Sequence, residues 1–398
     1  MQSEIARIFI EYEQKKDQIE VTIEQFREDL SAYEGRIILY GAGSAGIAFL
    51  HYLRDAQILP TCFSDGDKDK HGCYVEGLKV ISPEEIVQKY GKDALVIVTI
   101  NTDGEHYCRD FKQALLSGGH KGVHQSLREV GCENVVDYVY FQRVFSLYRG
   151  GNYNLPACAD VNLMYEHRED ISKAYDLLVD EMSKKIFRGI LEYRMLMANA
   201  DIPTISEKKQ YFEYDLFPMR EDEVLVDCGA CGGSSLKIFL EETNEEFEMY
   251  YGIEPDASNY ARLEQYVNSL RKETAKKIKL VNKAAYSVNN VINFFVLNGP
   301  GTFQSANGSD VVETETIDSI VSGNKVTYIK MNIEGSEVPA LLGAEQSIRE
   351  YKPRLAIMGY HKTSDFWEVP LLIHKFRADY KLKLRSYMKN IAFCYYAF

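Results

Sequence analysis

Between Ile5 and Leu30 apolar side chains recur at helical spacing, Ile5, Ile8, Phe9 and Tyr12, then Ile19, Ile23, Phe26 and Leu30, with charged residues between them. Steps of three and four bring such positions onto one helix face. Residues 1–34 are therefore predicted as one or two amphipathic helices whose apolar face packs on a core or on a second copy of the chain. The period then changes. Residues 36–40 are a short apolar run, a glycine-rich turn follows, and GIAFLHYL resumes the helical spacing. Further apolar runs at 60–64 and 94–100 flank a helix start, with Ser82 as N-cap and Pro83 at the first helical position. Strands alternating with helices predict a small parallel α/β unit over 35–150.

Across 151–222 the helical period returns through Ile171, Tyr175, Leu178, Met182, Ile186 and Ile190, which reads as a helical connector. A second strand–turn–helix opens at EVLVDCGACGGSSLKIFL, and strand candidates follow at 248–253, 279–282, 291–297, 326–331, 354–358, 382–387 and 391–396. The expected fold class is α/β, with two Rossmann-like domains at 35–150 and 223–398 joined by the connector, the second built on a seven-stranded, mostly parallel sheet.

Composition narrows the function. At 45% hydrophobic and 26% charged residues the 398-residue chain is an ordinary globular protein. Its net charge of −13 disfavours nucleic acid and anionic membranes, both of which call for clustered Lys and Arg. No stretch nears the roughly 20 apolar residues of a membrane span, and charges break the first apolar run, so neither a signal peptide nor membrane insertion is expected. Eight scattered cysteines read as reduced thiols of a cytoplasmic protein. Cys228 and Cys231 form a C-x-x-C inside a glycine turn, with no second Cys/His pair at zinc spacing, and no metal site is expected.

Two glycine turns carry chemistry. Gly41, Gly43 and Gly46 fit G-x-G-x-x-G between a strand and a helix, and Asp65 follows Gly41 by 65 − 41 = 24 positions. This is the setting in which a helix N-terminus meets a nucleotide phosphate and an acidic side chain takes the ribose. The alternatives are glycines that serve packing alone, an NAD(P)-binding oxidoreductase, and an interaction module. No Tyr-x-x-x-Lys follows to support the oxidoreductase. The second turn starts from Asp227, and Glu254 ends the next strand 254 − 229 = 25 positions after Gly229. A carboxylate ahead of the turn suits the ammonium end of an amino-acid cofactor, and the strand-end Glu254 suits two ribose hydroxyls, the arrangement that binds S-adenosylmethionine.

From about residue 177 onward the segments LLVDEMSKKIFRGILEYR, QYF, VDCGACGGSS, GIEP, TIDSI, YIKMNIEGSEVPALLGAEQSI and GYHKTSDFWEVPLLI run in the order of the FkbM-type methyltransferases, which this part of the chain resembles. The resemblance implies a class I methyltransferase fold, S-adenosylmethionine as cofactor, and methylation of a hydroxyl on a sugar or polyketide-type product. It implies that Asp227, Gly229, Ala230 and Gly232 form the cofactor turn, that Glu254 binds the ribose, and that 282–285, with Ala284 and Ala285, lies near the adenine. The family's K-M-D-x-E-G-x-E block stands here as 330–337 with Asn332 in place of Asp. Asn keeps hydrogen bonding and loses the charge of a base or metal ligand.

Asn332, Glu334 and His361 then fall at carboxyl ends of neighbouring strands, where such sheets bind ligands. His361 is the expected general base, since imidazole titrates near pH 6.5, with Glu334 orienting it or holding a substrate hydroxyl. Trp367 reads as a core aromatic before a sugar-stacking one. His120 and His124, spaced i, i+4 in SGGHKGVH, read as a solvated loop. FSDGDKDKHGCYVEGLKVISPEEI resembles the small Rossmann-type domain of sugar-modifying enzymes in bacterial surface-polysaccharide pathways, which implies contact with a nucleotide-sugar. The expected activity is therefore O-methylation of a sugar, nucleotide-sugar or glycoconjugate or natural-product precursor.

Overall fold

The fold comes from a computed structural model that describes residues 4–19, 23–100, 121–138, 159–196, 202–205, 210–212, 216, 218–295, 303–304, 310–388 and 392–398. His106, His120, Cys108, Cys158 and the end of the strand expected at 291–297 lie outside these residues.

Helix α1 (Glu4–Ile19) turns the predicted face of Ile5, Ile8, Phe9 and Tyr12 inward, and α2 (Ile23–Ser31) leads into the first sheet. That sheet is built from β1 (Ile37–Tyr40), α3 (Ser44–Asp55), β2 (Cys62–Ser64), the hairpin β3 (Tyr74–Val75) and β4 (Leu78–Ile81), α4 (Pro83–Tyr90), β5 (Leu95–Val98), α5 (Lys121–Glu129) and β6 (Asn134–Asp137). Its order is β3-β4-β2-β1-β5-β6, parallel except for β3. β1 and β5 are covered on both faces, which is why they read as unbroken apolar runs. Helix α4 starts as expected, with Ser82 and Glu85 closing a capping box.

Helices α6 (Val161–Glu166), α7 (Arg168–Asp176) and α8 (Glu181–Leu196) occupy the stretch expected to be a connector. They do more than connect. Ile186, Phe187, Ile190 and Leu191 of α8 share one apolar cluster with Ile5 and Phe9 of α1 and with Val226, Ile329 and Ile357 of the second sheet. Each such side chain contributes about 1.5–3 kcal/mol when fully buried, so α1 and α8 belong energetically to the C-terminal half.

The second half runs through β7 (Val224–Cys228), α9 (Ser234–Glu242), β8 (Met249–Ile253), α10 (Ala257–Ser269), α11 (Lys272–Ala275), β9 (Ile278–Val281), β10 (Ala284–Ala285), β11 (Asn290–Phe295), β12 (Phe303–Gln304), β13 (Asp310–Glu315), α12 (Ile317–Val321), β14 (Tyr328–Met331), α13 (Glu337–Leu342), α14 (Glu345–Tyr351), β15 (Arg354–Met358), α15 (Asp365–Phe376), β16 (Leu382–Met388) and β17 (Ala392–Ala397). The order β16-β17-β15-β14-β7-β8-β9, with β17 antiparallel to both neighbours, is that of the class I methyltransferase sheet. Alternate residues of β7 face opposite cores: Val226 joins the α1/α8 cluster, while Leu225 packs with Leu236 and Phe239 of α9. β11 does not enter this sheet. It pairs with β12 and β13, and with β10 they form a separate four-stranded sheet. Among the described residues no helix is long and apolar enough to cross a membrane.

Candidate active site

The carboxyl ends of β15, β14, β7 and β8 lie side by side. In the parallel pairing of β14 with β7, Lys330 stands opposite Asp227, so both side chains leave the same face. Lys330 Nζ is 2.8 Å from Asp227 Oδ1. It also donates to the carbonyls of Gly229 at 2.9 Å and Cys228 at 3.3 Å. Asp227 Oδ2 accepts from Tyr250 Oη at 2.6 Å and from Ser235 Oγ. Both Asp227 and Lys330 are shut from solvent. Asp227 therefore lies beneath the turn, and a direct role on the cofactor's ammonium does not fit its surroundings.

The turn itself is closely fitted. Gly229 has φ +81°, and a Cβ there would stand 2.2 Å from the Asn332 carbonyl oxygen, so only glycine fits. The N–H groups of Gly229 and Ala230 both donate to the carbonyl of Ile253. At Gly232 a Cβ would make ordinary contact with Arg262, at 3.8 Å, so that position does not require glycine for space. Glu254, just past β8, accepts Cys231 N–H at 2.8 Å on Oε2 and Asp256 N–H at 3.0 Å on Oε1. The Asn259 side chain bonds the same carboxylate. Burial pushes the Glu254 carboxyl upward despite these bonds. Asn282 donates to the Glu254 carbonyl at 2.8 Å, which ties the approach to Ala284 and Ala285 to the same corner.

Past β14 the chain turns sharply, with Glu334 at φ +53° and Gly335 at φ +92°. A left-handed non-glycine residue costs roughly 1–3 kcal/mol and points to a function. Asn332 donates to Tyr211 Oη at 2.9 Å, while its Oδ1 is buried and accepts no hydrogen bond among the described residues. Glu337 is fully buried and takes the N–H groups of Ile333 and Gly335, both at 2.9 Å, holding the turn that presents Glu334.

His361 is buried between carboxylates: Glu337 Oε1 is 2.8 Å from Nδ1 and Glu334 Oε2 is 3.6 Å from Nε2. Burial opposes the imidazolium, but Glu337 and Glu334 outweigh it and lift His361 to about 9. Glu334 is raised by burial, with His361 acting against the shift. Of the pair, Glu334 is the accessible one, its side chain 29% exposed against 2% for His361. Asp365, at the start of α15, was not anticipated from sequence. It completes a buried trio with Glu337 and His361, whose ligand-type atoms all lie within 4.8 Å of one another.

The N-terminal turn is differently spent. Gly46 is required, because a Cβ there would meet the Gly41 carbonyl at 2.0 Å, whereas Gly43 has open space. Asp65, expected at a ribose, bonds its own chain: Oδ2 accepts Ala42 N–H at 2.9 Å and Lys70 Nζ at 2.9 Å, and Oδ1 accepts Asp67 N–H at 2.9 Å. Burial would raise its carboxyl, and these donors outweigh burial and hold it below the usual range. A charged carboxylate on a turn amide opposes a pyrophosphate there.

His124 departs from the solvated-loop reading: it lies in α5, buried, with Nε2 3.1 Å from Asp137 Oδ1. The helix is missed because glycines precede and interrupt it. Trp367 is core, stacked on His167 with ring centroids 5.1 Å apart. Cys228 is buried, Cys231 is half-buried, and both are free thiols.

Comparison with known proteins bears on both halves. Residues 227–394 match the family model of the methyltransferase FkbM domain, and residues 33–116 match that described as C2185-like, N-terminal. Among solved structures, methyltransferase FkbM from Methylobacillus flagellatus KT aligns over 99% of this chain and 100% of its own, at 22% identity and a TM-score of 0.70. UDP-D-quinovosamine 4-dehydrogenase from Vibrio fischeri covers 25% of this chain and 75% of its own at 23% identity, with a TM-score of 0.19. An rRNA methylase from Streptococcus thermophilus covers 45% and 88% at 13% identity, with a TM-score of 0.29. No curated protein matches the sequence.

Proposed function

Residues 227–394 are a methyltransferase FkbM domain, and we infer that this chain transfers a methyl group from S-adenosylmethionine to a hydroxyl of a sugar, nucleotide-sugar or glycoconjugate precursor. One observation carries the reading. The turn after β7, Glu254 after β8 and Glu334 after β14 share one edge of three adjacent strands. Glu254 offers its strand-end carboxylate to a ribose diol. The orphaned Oδ1 of Asn332, beside Gly229, calls for an N–H or O–H donor. Ala284 and Ala285 follow Asn282, whose side chain bonds the Glu254 carbonyl. Asp227 contributes by holding the turn through Lys330.

The cofactor supplies an electrophilic methyl on a sulfonium, already a good leaving group. The protein's task is to align the acceptor and take its proton. Alignment is worth up to about 7–11 kcal/mol in well-oriented reactions, and a positioned base typically about 10²- to 10⁴-fold. Glu334 is the base in this reading, being accessible and held out on a strained turn. His361, walled in by two carboxylates, acts through Glu334 as a positioning residue. Asn332 orients the acceptor or the amino-acid end of the cofactor as a hydrogen-bond acceptor.

The test is a labelled-methyl transfer screen of the full-length protein against nucleotide-sugars and free glycans. Label appearing on a sugar hydroxyl supports the reading. Label on a nitrogen or carbon acceptor, with sugars inert, replaces it.

A further inference from the structure

Behind Glu334 lies the buried trio of Glu337, His361 and Asp365, in which Asp365 has no part in the proposed methyl transfer. Their exposures are 0%, 4% and 1%, and they are brought together from the first turn of α13, the loop after β15 and the start of α15. Asp365 Oδ2 accepts Lys362 N–H at 2.8 Å, while Oδ1 is buried and has no hydrogen-bond partner. Glu337 Oε1 stands 2.8 Å from His361 Nδ1, an ion-pair contact, so the polar atom of the trio left without any partner is Asp365 Oδ1. Buried polar atoms without partners are rare and ask for a ligand.

We propose that Glu337, His361 and Asp365 bind a divalent transition-metal cation. Bonds of about 2.0–2.2 Å to N and O donors put neighbouring ligand atoms roughly 3 Å apart and opposite ones roughly 4.2 Å apart. The 2.8 Å contact is close to the spacing of neighbouring ligands, and the trio's ligand atoms all lie within 4.8 Å of one another. Charge agrees as well. A divalent ion displaces the imidazolium proton, and the two carboxylates and neutral imidazole that remain carry −2, which the ion cancels. One imidazole with two carboxylates suits Mn²⁺ or Zn²⁺. With Nδ1 on the ion, Nε2 faces Glu334, the outer carboxylate that commonly fixes a metal-bound imidazole. The ion pins the loop carrying Glu334 and takes no part in binding the cofactor.

Chelator-treated full-length protein is titrated with Mn²⁺ by electron paramagnetic resonance and with Zn²⁺ by calorimetry, without cofactor. One equivalent should bind, and Asp365→Asn and His361→Asn should each weaken it at least tenfold. X-ray absorption of the zinc-loaded wild type should show one imidazole with oxygen donors and no sulfur, a readout that does not depend on either variant folding. No stoichiometric binding of either ion, undiminished binding by both variants, or a sulfur-containing shell overturns the proposal.

Discussion

Lys330 faces Asp227 across two parallel strands, Nζ to Oδ1 at 2.8 Å, with both side chains closed to solvent. The pair joins the floor of the glycine turn after β7 to the strand that leads to Asn332 and Glu334. Removing one partner of a buried ion pair strands the other's charge, at about 3–5 kcal/mol. Lys330→Met should lose stability on that scale in urea denaturation. The double variant Asp227→Asn/Lys330→Met should recover much of the loss. Simple additivity of the two single variants would mean that the pair does not couple the strands.

Glu334→Gln keeps shape and removes the carboxylate proposed as the base. Turnover should fall by about 10²- to 10⁴-fold, while the affinity for S-adenosylmethionine stays within twofold, since Glu254 and the turn are untouched. Near-normal turnover would take Glu334 out of the mechanism.

Asp180, just before α8, is bonded by Arg385 at 2.9 Å and by Ser183 N–H at 2.7 Å. Burial works against its charge, but these donors prevail and hold it down at about 2. An unfolded Asp titrates near 3.9. The depressed value means stability that is fully present above pH 4 and lost as pH falls toward 2. In denaturant titrations the wild type should lose more stability between about pH 4 and 2 than Asp180→Asn does. Equal slopes would show that the Arg385 contact contributes nothing.

The N-terminal turn should leave NADH unbound, because Asp65 already occupies the Ala42 amide. Fluorescence titration of the full chain is expected to be flat. Saturable binding of NADH would return the turn to dinucleotide chemistry.

The strands at 94–100 and 354–358 were legible because burial on both faces leaves a continuous apolar run. β3 is two residues long, and in β13 only Val311 and Val312 are apolar, so neither stands out from a loop. In the site, Gly229 and Glu254 could be read because their spacing follows from one strand–turn–helix–strand unit. The Lys330–Asp227 pair depends on which strands become neighbours, 330 − 227 = 103 residues apart, and no local period encodes that. The same limit hid the approach of Asp365 to Glu337. For Asp65 the motif was visible and the competing donors Ala42 and Lys70 were not, since they depend on how the following loop folds back.

The central claim is that the turn after β7 and Glu254 hold S-adenosylmethionine, and calorimetric titration of the full-length protein with that cofactor tests it most directly. The wild type should bind one equivalent, and Glu254→Ala should bind more weakly by roughly ten- to a hundredfold, the loss of charge-assisted hydrogen bonds worth about 1.5–3 kcal/mol. No binding by the wild type, or equal affinity in Glu254→Ala, would contradict it.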